Sequence, residues 1–417
     1  MHAGIAPGGE PWCRLSVLKA PECLVSYLVL TSNESDPQNV HLVDITMFYA
    51  AEGGGVRTYL TAKAEWLRQR TRIQHTVVAP DIYGNYYDPC FVGVPSLPIP
   101  GNSAYRLPMS TRVAARVLQR LQPDLIEVGD PYQFAWAALR VKRDSNIPVV
   151  AFYHSDLLQI VEHRLGAAAR RAVQKYVSHL YSQFDLVLAP SQVMVHRLRE
   201  IGIERVRHQP LGVDTSVFAP ERRDDGLRAR LGLPKDARLL IYAGRFTREK
   251  KLPLLIDAVH RLGDPYYLVM VGSGNCLAES PRLVHIPFQR DAQALASVIA
   301  SCDVLVHPGD QETFGLVVLE AMACGIPVLG VAAGGVGELV EPDAGLLVRP
   351  GSVAALTEGI AGIYQCDLAA LGAGGRRKVL EKYDWNLIVP QLIAQYGSLF
   401  AARERAELEA GLTYAID

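Results

Sequence analysis

Apolar residues in this chain follow two rhythms: short unbroken runs, and longer stretches where they recur at three- and four-residue intervals. The first suits strands buried on both faces of a sheet, the second helices with one covered face. In the first half, Leu42–Tyr49, Thr76–Ala79, Leu125–Val128, Val149–Tyr153 and Leu186–Ala189 predict strands. Helices are predicted between them over Val56–Arg70, Ser110–Leu121, Phe134–Lys142, Leu165–Tyr181 and Gln192–Glu200. The second half repeats the alternation, with strands at Leu239–Ala243, Tyr267–Val271, Leu283–Ile286, Val304–His307, Pro327–Val331 and Leu346–Val348. Its helices fall near Pro253–Arg261, Ala292–Ala300, Leu316–Cys324 and Val353–Gln365. Such alternation makes parallel sheets covered by helices, so the predicted class is α/β with two facing doubly wound, Rossmann-like domains.

Gly, Pro and charged residues gather from Gln209 to Asp224, which places the junction there. Residues 1–208 would then form one domain and 209–385 the other. Ligands of such sheets bind beyond the carboxyl ends of the strands, so two facing domains share one cleft.

Composition narrows the function. A chain of 417 residues with 49% hydrophobic and 20% charged content is long enough for two or three ordinary globular domains. A net charge of −1 argues against nucleic acid as a partner. The seven cysteines are scattered without a C-x-x-C pair, which points to reduced thiols and a cytoplasmic protein. No apolar run reaches the roughly 18 residues of a membrane span, and no signal peptide is legible. Residues 1–40 read either as a peripheral strand or as an extension.

The chemistry concentrates in Glu312-Thr-Phe-Gly-Leu-Val-Val-Leu-Glu320, where seven residues separate two glutamates. Eight positions on a helix make a little over two turns, so both carboxylates could project to one side. The Thr313–Leu316 stretch enters that helix and would present backbone N–H groups to an anion. Glu320 lies amid Val317, Val318, Leu319, Ala321 and Met322, where a carboxylate needs hydrogen-bond partners to offset its desolvation. One acidic group at the mouth and one deeper suit a ligand with hydroxyls on either side of a diphosphate, which describes a nucleotide sugar.

Gly53-Gly54-Gly55 follows a strand and precedes the helical run from Val56. Small residues there let the backbone approach a phosphate, although a tight turn would also use them, and the spacing is not G-x-G-x-x-G. Gly244-Arg245 ends a strand and Lys250 follows, a forked guanidinium and a mobile ammonium suited to a diphosphate. Arg248 and Lys251 compete for that assignment. For Gly272-Ser273-Gly274 a turn and a pyrophosphate loop both remain open.

Together with Phe152-Tyr-His154-Ser155 and Gly212-Val-Asp214, these pieces resemble, in the same order, the family-4 retaining glycosyltransferases over roughly residues 42–400. Each piece is weak alone; six in order are specific. The resemblance implies the GT-B fold and transfer of a hexose from a nucleoside diphosphate sugar to a hydroxyl acceptor (a glycan, glycolipid or small polyol) by front-face substitution. The leaning is to mannose from GDP-mannose. UDP-sugars fit as well, because the family reads the base near His285–Arg290, including Phe288, mostly through backbone groups. The resemblance implies catalytic roles for His154, Arg245, Lys250 and Glu312. His154 would hydrogen-bond the transferred sugar, Arg245 and Lys250 would neutralise the leaving diphosphate, and Glu312 would hold the sugar hydroxyls. Donor contacts would come from Gly53, Gly54, Gly55, Phe288, Phe314, Gly315, Leu316 and Glu320, the last accepting from the ribose hydroxyls. It implies no cofactor and no protein-bound metal, the nucleotide sugar being a substrate. It also returns the final helix, within 386–417, to the first domain, whereas the plainer alternative caps the second. Leu211 before Gly212 departs from the family pattern and leaves the hinge contact there open.

A nucleotide-sugar epimerase and a non-catalytic nucleotide-sugar binding protein of the same fold are the alternatives. A glycoside hydrolase would also use two carboxylates, within about 10 Å, but gains nothing from the basic pair and phosphate loop. A phosphorylase would need a pyridoxal lysine that no segment presents. Along Glu162–Tyr181, Leu165, Ala169, Ala172, Val173, Tyr176, Val177 and Leu180 share one helical face, while Arg164, Arg171 and Lys175, with Arg170 beside them, share another. That basic face is either solvated or drawn to anionic lipid or a phosphorylated acceptor, which would place the protein peripherally at the inner face of a membrane.

Overall fold

The computed structural model describes residues 40–49, 54–81, 90–99, 102–274 and 280–414. Gly53 and residues 1–39 lie outside the described residues. In the first half the strands are β1 (His41–Ile45), β2 (Gln74–Pro80), β3 (Phe91–Val94), β4 (Ser96–Ile99), β5 (Asn102–Pro108), β6 (Leu125–Val128), β7 (Val149–Phe152), β8 (Leu186–Ala189) and β9 (Val206–His208). Seven form a parallel sheet in the order β3-β2-β1-β6-β7-β8-β9, and β4 pairs with β5 as an antiparallel hairpin. The second sheet uses β10 (Arg238–Ala243), β11 (Tyr266–Gly272), β12 (Leu283–Pro287), β13 (Val304–His307), β14 (Val328–Val331) and β15 (Gly345–Val348). It is also parallel, in the order β12-β11-β10-β13-β14-β15. Both are Rossmann-like. The strand order reverses between β1 and β6 in the first sheet and between β10 and β13 in the second, and such switch points open crevices at the carboxyl ends of strands.

The elements depart from expectation where side chains or glycines intervene. The strand expected to run to Tyr49 stops at Ile45. Beyond it, Met47 N–H donates to the Asp130 carboxylate (2.6 Å) and Phe48 N–H to the Thr46 hydroxyl (3.1 Å), so the backbone leaves the ladder. The helix expected from Leu165 starts at Leu157, its first turn capped by Asp156 on Gln159 N–H (3.3 Å). Gly166 breaks it at φ 79°, and Leu165 is 72% exposed rather than part of the covered face. The helix Leu368–Lys382 has no counterpart in the sequence reading, because Gly372, Gly374 and Gly375 disfavour helix. They are there for packing: a Cβ on Gly372 would stand 2.0 Å from the Gly325 carbonyl oxygen, and one on Gly374 2.0 Å from that of Asp343.

The chain crosses between the sheets twice, and the crossings touch. Val213 pairs with Asp384, donating to the Tyr383 carbonyl (2.8 Å) and accepting from Trp385 N–H (3.3 Å). A Cβ on Gly212 would meet the Trp385 ring at 2.7 Å, and Leu211 is buried beside it in the core. The helix Trp385–Tyr414 then runs back along the first sheet's side, where Tyr396 reaches Lys63 (2.9 Å) and Glu127.

Candidate active site

Both switch points carry the candidate residues. In the first sheet, His154 follows β7, and its ring stacks on Phe152 with centroids 4.3 Å apart and planes 3° from parallel. Tyr59 packs against the same ring at 5.3 Å. Desolvation lowers the His154 pKa to about 3, with opposing influences from Asp44 and Lys63, so the ring is a neutral hydrogen-bonding group at pH 7. Gly54, at φ 124°, precedes the helix Gly55–Arg70, a conformation open to glycine. A crevice lined by Asp44, Ile45, Thr46, Val56, Leu60, Glu127, Gly129 and His154 separates that helix from the strand ends.

In the second sheet the loops after β10 and β13 face each other. Lys250 pairs with Oε1 of Glu312, and His307 Nε2 lies 3.1 Å from the same oxygen. Burial would raise the Glu312 pKa; the Lys250 ammonium and the His307 contact overcome it and hold the carboxyl well below the usual range. Arg245 is exposed, and its carbonyl accepts from the Tyr242 hydroxyl (3.0 Å), which pins the loop to β10. A Cβ on Gly272 would lie 1.9 Å from the Gly244 oxygen, and Phe246 N–H donates to Ser273 (2.8 Å). The glycines of Gly272–Gly274 therefore serve close backbone approach to the arginine loop.

Gly315, at φ 108°, turns the chain into the helix Leu316–Ala323. Phe314 is buried, leaning toward Tyr383 (6.2 Å), so what it can offer a ligand is backbone. Glu320, on that helix, has no hydrogen-bond or ion-pair partner for its carboxylate among the described residues, and burial pushes its pKa up to about 7. Phe288 stands apart: it follows the edge strand β12, 37% exposed, with β11 between it and β10.

The two halves meet at these loops. Leu316 Cδ1 lies 3.2 Å from the Cβ position of Gly55. Thr313 donates its hydroxyl to the His154 carbonyl (2.9 Å), and its own carbonyl accepts from Ser191 Oγ (2.7 Å). Glu338 accepts from Gln192 N–H (2.8 Å) and from Val193 N–H at the start of the helix Gln192–Glu200. Gly334 and Gly335 support the Glu312–Phe314 turn from behind; Gly335 N–H donates to the Glu312 carbonyl (2.8 Å), and a Cβ on Gly335 would stand 2.5 Å from Phe314 Cα. Thus Gly54–Gly55, His154, Lys250, Glu312 and Leu316 are brought together around one loop. His307, Ser191, Glu338, Gly334–Gly335 and the side-chain contact of Thr313 escaped the sequence reading. A signal existed for His307, a histidine ending a strand five positions before Glu312; the others act through backbone contacts that leave little trace.

The basic residues of the Glu162–Tyr181 segment lie at the surface. Arg164 and Arg171 are exposed with Leu165, and Arg170 pairs with Glu162 (3.0 Å). Lys175 is exposed further along the same helix. No described helix is long and apolar enough to cross a membrane. Cys302, Cys324 and Cys366 are free thiols.

Comparison with known proteins agrees with this fold. Residues 224–381 match the family described as Glycosyl transferases group 1, and residues 53–217 match Glycosyltransferase Family 4. A GDP-mannose-dependent alpha-mannosyltransferase of Mycolicibacterium smegmatis is 34% identical over 69% of this chain and 76% of its own length. A protein of the same description from Mycobacterium tuberculosis is 30% identical over 87% of this chain and 98% of its own. Among solved structures, a sucrose-phosphate synthase from Thermosynechococcus elongatus superposes with a TM-score of 0.72 at 23% identity, covering 87% of this chain and 100% of that one.

Proposed function

The chain belongs to the family-4 glycosyltransferases of GT-B fold, and we propose that it moves a hexosyl group, mannose from GDP-mannose first among donors, to a hydroxyl acceptor with retention at the anomeric carbon. One observation carries the donor site: the Glu320 carboxylate, half-buried and desolvated on the helix after Gly315 and without a protein partner among the described residues. A carboxylate so desolvated is stabilised by the paired hydroxyls of a ribose. The mannose preference rests on the descriptions of the two mycobacterial relatives.

In this reading the diphosphate lies at the N-terminus of the helix Leu316–Ala323, between the glycine loop at Gly54–Gly55 and the side chains of Arg245 and Lys250. Phe314, Gly315 and Leu316 offer it N–H groups. Arg245 and Lys250 supply the positive charge that the leaving group needs, so the scheme requires no metal. Glu312 accepts from the sugar hydroxyls, and neutral His154 hydrogen-bonds the same sugar. As the anomeric carbon–oxygen bond to the diphosphate breaks, a diphosphate oxygen takes the acceptor's proton. The acceptor oxygen then bonds the anomeric carbon from the face just vacated. A lipid-borne acceptor would account for Leu165 standing exposed beside Arg164 and Arg171; a glycan or polyol would leave that face solvated.

Calorimetric titration with GDP, UDP, ADP and GDP-mannose, with and without a chelator, tests the scheme. Binding of one nucleoside diphosphate in the presence of chelator is expected, weakened about 10- to 100-fold by Glu320→Ala through loss of charge-assisted hydrogen bonds. Binding of none of them would overturn the donor site.

A further inference from the structure

The geometry points to His307 as a positioning residue: we infer that it holds Glu312 in its sugar-binding place when Lys250 turns from that carboxylate to the diphosphate. The inference rests on the donor reading above and extends it.

The roles proposed for Lys250 and Glu312 pull in different directions, for in the structure the two neutralise each other. Both Lys250 Nζ and His307 Nε2 approach the same oxygen, Oε1, and no described group bonds Oε2. Oε2 is therefore the oxygen available to a sugar hydroxyl. A lysine ammonium on its four-carbon stem can swing toward a phosphate, which repels the carboxylate it leaves behind. Once it swings, Glu312 loses its main counter-charge in a half-buried place and has reason to turn away.

His307 is built to prevent that. It is 1% exposed at the end of β13, its ring lies 6.2 Å from that of Tyr242, and a Cβ on Gly309 would come within 3.1 Å of its Cε1. The ring is fixed by packing. Its Nδ1 is buried without a partner among the described residues, so its polar contact among them is the one to Glu312. With the proton on Nε2, the ring donates to Oε1 whichever way Lys250 points.

The full-length chain carrying His307→Gln or His307→Asn separates this role from simple packing. A glutamine amide reaches the Nε2 position, whereas an asparagine amide reaches that of Nδ1. His307→Asn should lower kcat about 10- to 100-fold, the worth of a hydrogen bond to a charged group, while GDP, which lacks the sugar, binds as before. His307→Gln should recover most of the loss. The double variant His307→Asn/Glu312→Gln should be no slower than Glu312→Gln alone, since residues acting as a unit are non-additive. Equal activities for the Asn and Gln variants, or a fully additive double variant, would overturn the inference. Should the Asn variant not fold, a His307→Gln protein with unchanged Tm and a loss as large as that of Glu312→Gln overturns it too. Wild-type turnover in Glu312→Gln would instead remove the donor reading beneath it.

Discussion

Two clusters in this molecule use the same parts, a lysine beside a carboxylate with a histidine at hand, and finish differently. In the first domain Lys63 donates to Asp44 (2.8 Å) and to Tyr396 (2.9 Å) and lies 3.6 Å from Glu127, with Lys63 and Asp44 side chains 1% and 3% exposed. His75 closes on the other Asp44 oxygen, and Tyr59 donates to Glu127 (2.9 Å). Desolvation would raise both carboxyl pKa values; Lys63 and His75 reverse it for Asp44, whereas Glu127, repelled by Asp44, is raised. The second-domain cluster of Lys250, His307 and Glu312 keeps 18% and 19% of the lysine and glutamate side chains exposed. One carboxylate oxygen there takes both partners and the other takes none among the described residues, while Glu320 nearby in sequence has no partner at all among them. A closed cluster ties a strand, a helix and a distant helix together. An open one keeps bonding capacity for something that is not protein.

The sharpest way to break the comparison is to remove each lysine. Lys250→Ala should cut kcat/KM about 10²- to 10³-fold, as loss of a preorganised charge stabiliser does, with little change in Tm. Lys63→Met should do the reverse, costing about 3–5 kcal/mol in urea unfolding because it strands buried carboxyls. Similar Tm losses for both would mean that the two clusters do not differ in kind.

Glu320 offers a pH test of smaller size. Its pKa is raised from 4.5 to about 7 in the folded chain. Its contribution to stability is therefore full below about pH 4.5 and is lost as pH rises through about 7. Ribose hydroxyls donate to the ionised form, so GDP affinity should climb through the same range, by up to about tenfold per pH unit below the pKa. Calorimetry at pH 6, 7 and 8 should show that slope in the wild type and a shallower one in Glu320→Gln, which cancels the titration of the nucleotide itself. Parallel slopes would show that Glu320 does not face the ligand.

The smallest effect should come from the seam between the domains. Thr313→Val keeps the shape and removes the hydroxyl on the His154 carbonyl; a drop in kcat of about 3- to 10-fold, restored by Thr313→Ser, matches one ordinary hydrogen bond. An unchanged kcat in the Val variant would leave the seam without influence on His154.

Much of this was legible because parallel sheets buried on both sides write themselves as apolar runs, and because the Glu312–Glu320 spacing, the glycines and Arg245–Lys250 fall at strand ends. The seam was not legible. Thr313, Ser191 and Glu338 are ordinary polar residues whose partners are backbone groups 122 to 159 positions away. Nor was the break at Gly166, since a single glycine in a helical pattern usually costs about 1 kcal/mol and no more. Asp44 and Glu127 stand as charges inside the runs His41–Ile45 and Leu125–Val128, a signal that the sequence reading passed over, and their shared lysine sits on another element.

Tyr396 hydrogen-bonds Glu127 across 269 positions. Translation delivers residues in order, and domains ordinarily fold as they emerge, the N-terminal one first. Here the second domain emerges whole while the first still lacks the tyrosine that closes its charge cluster. On the ribosome, the half that is made first is finished last.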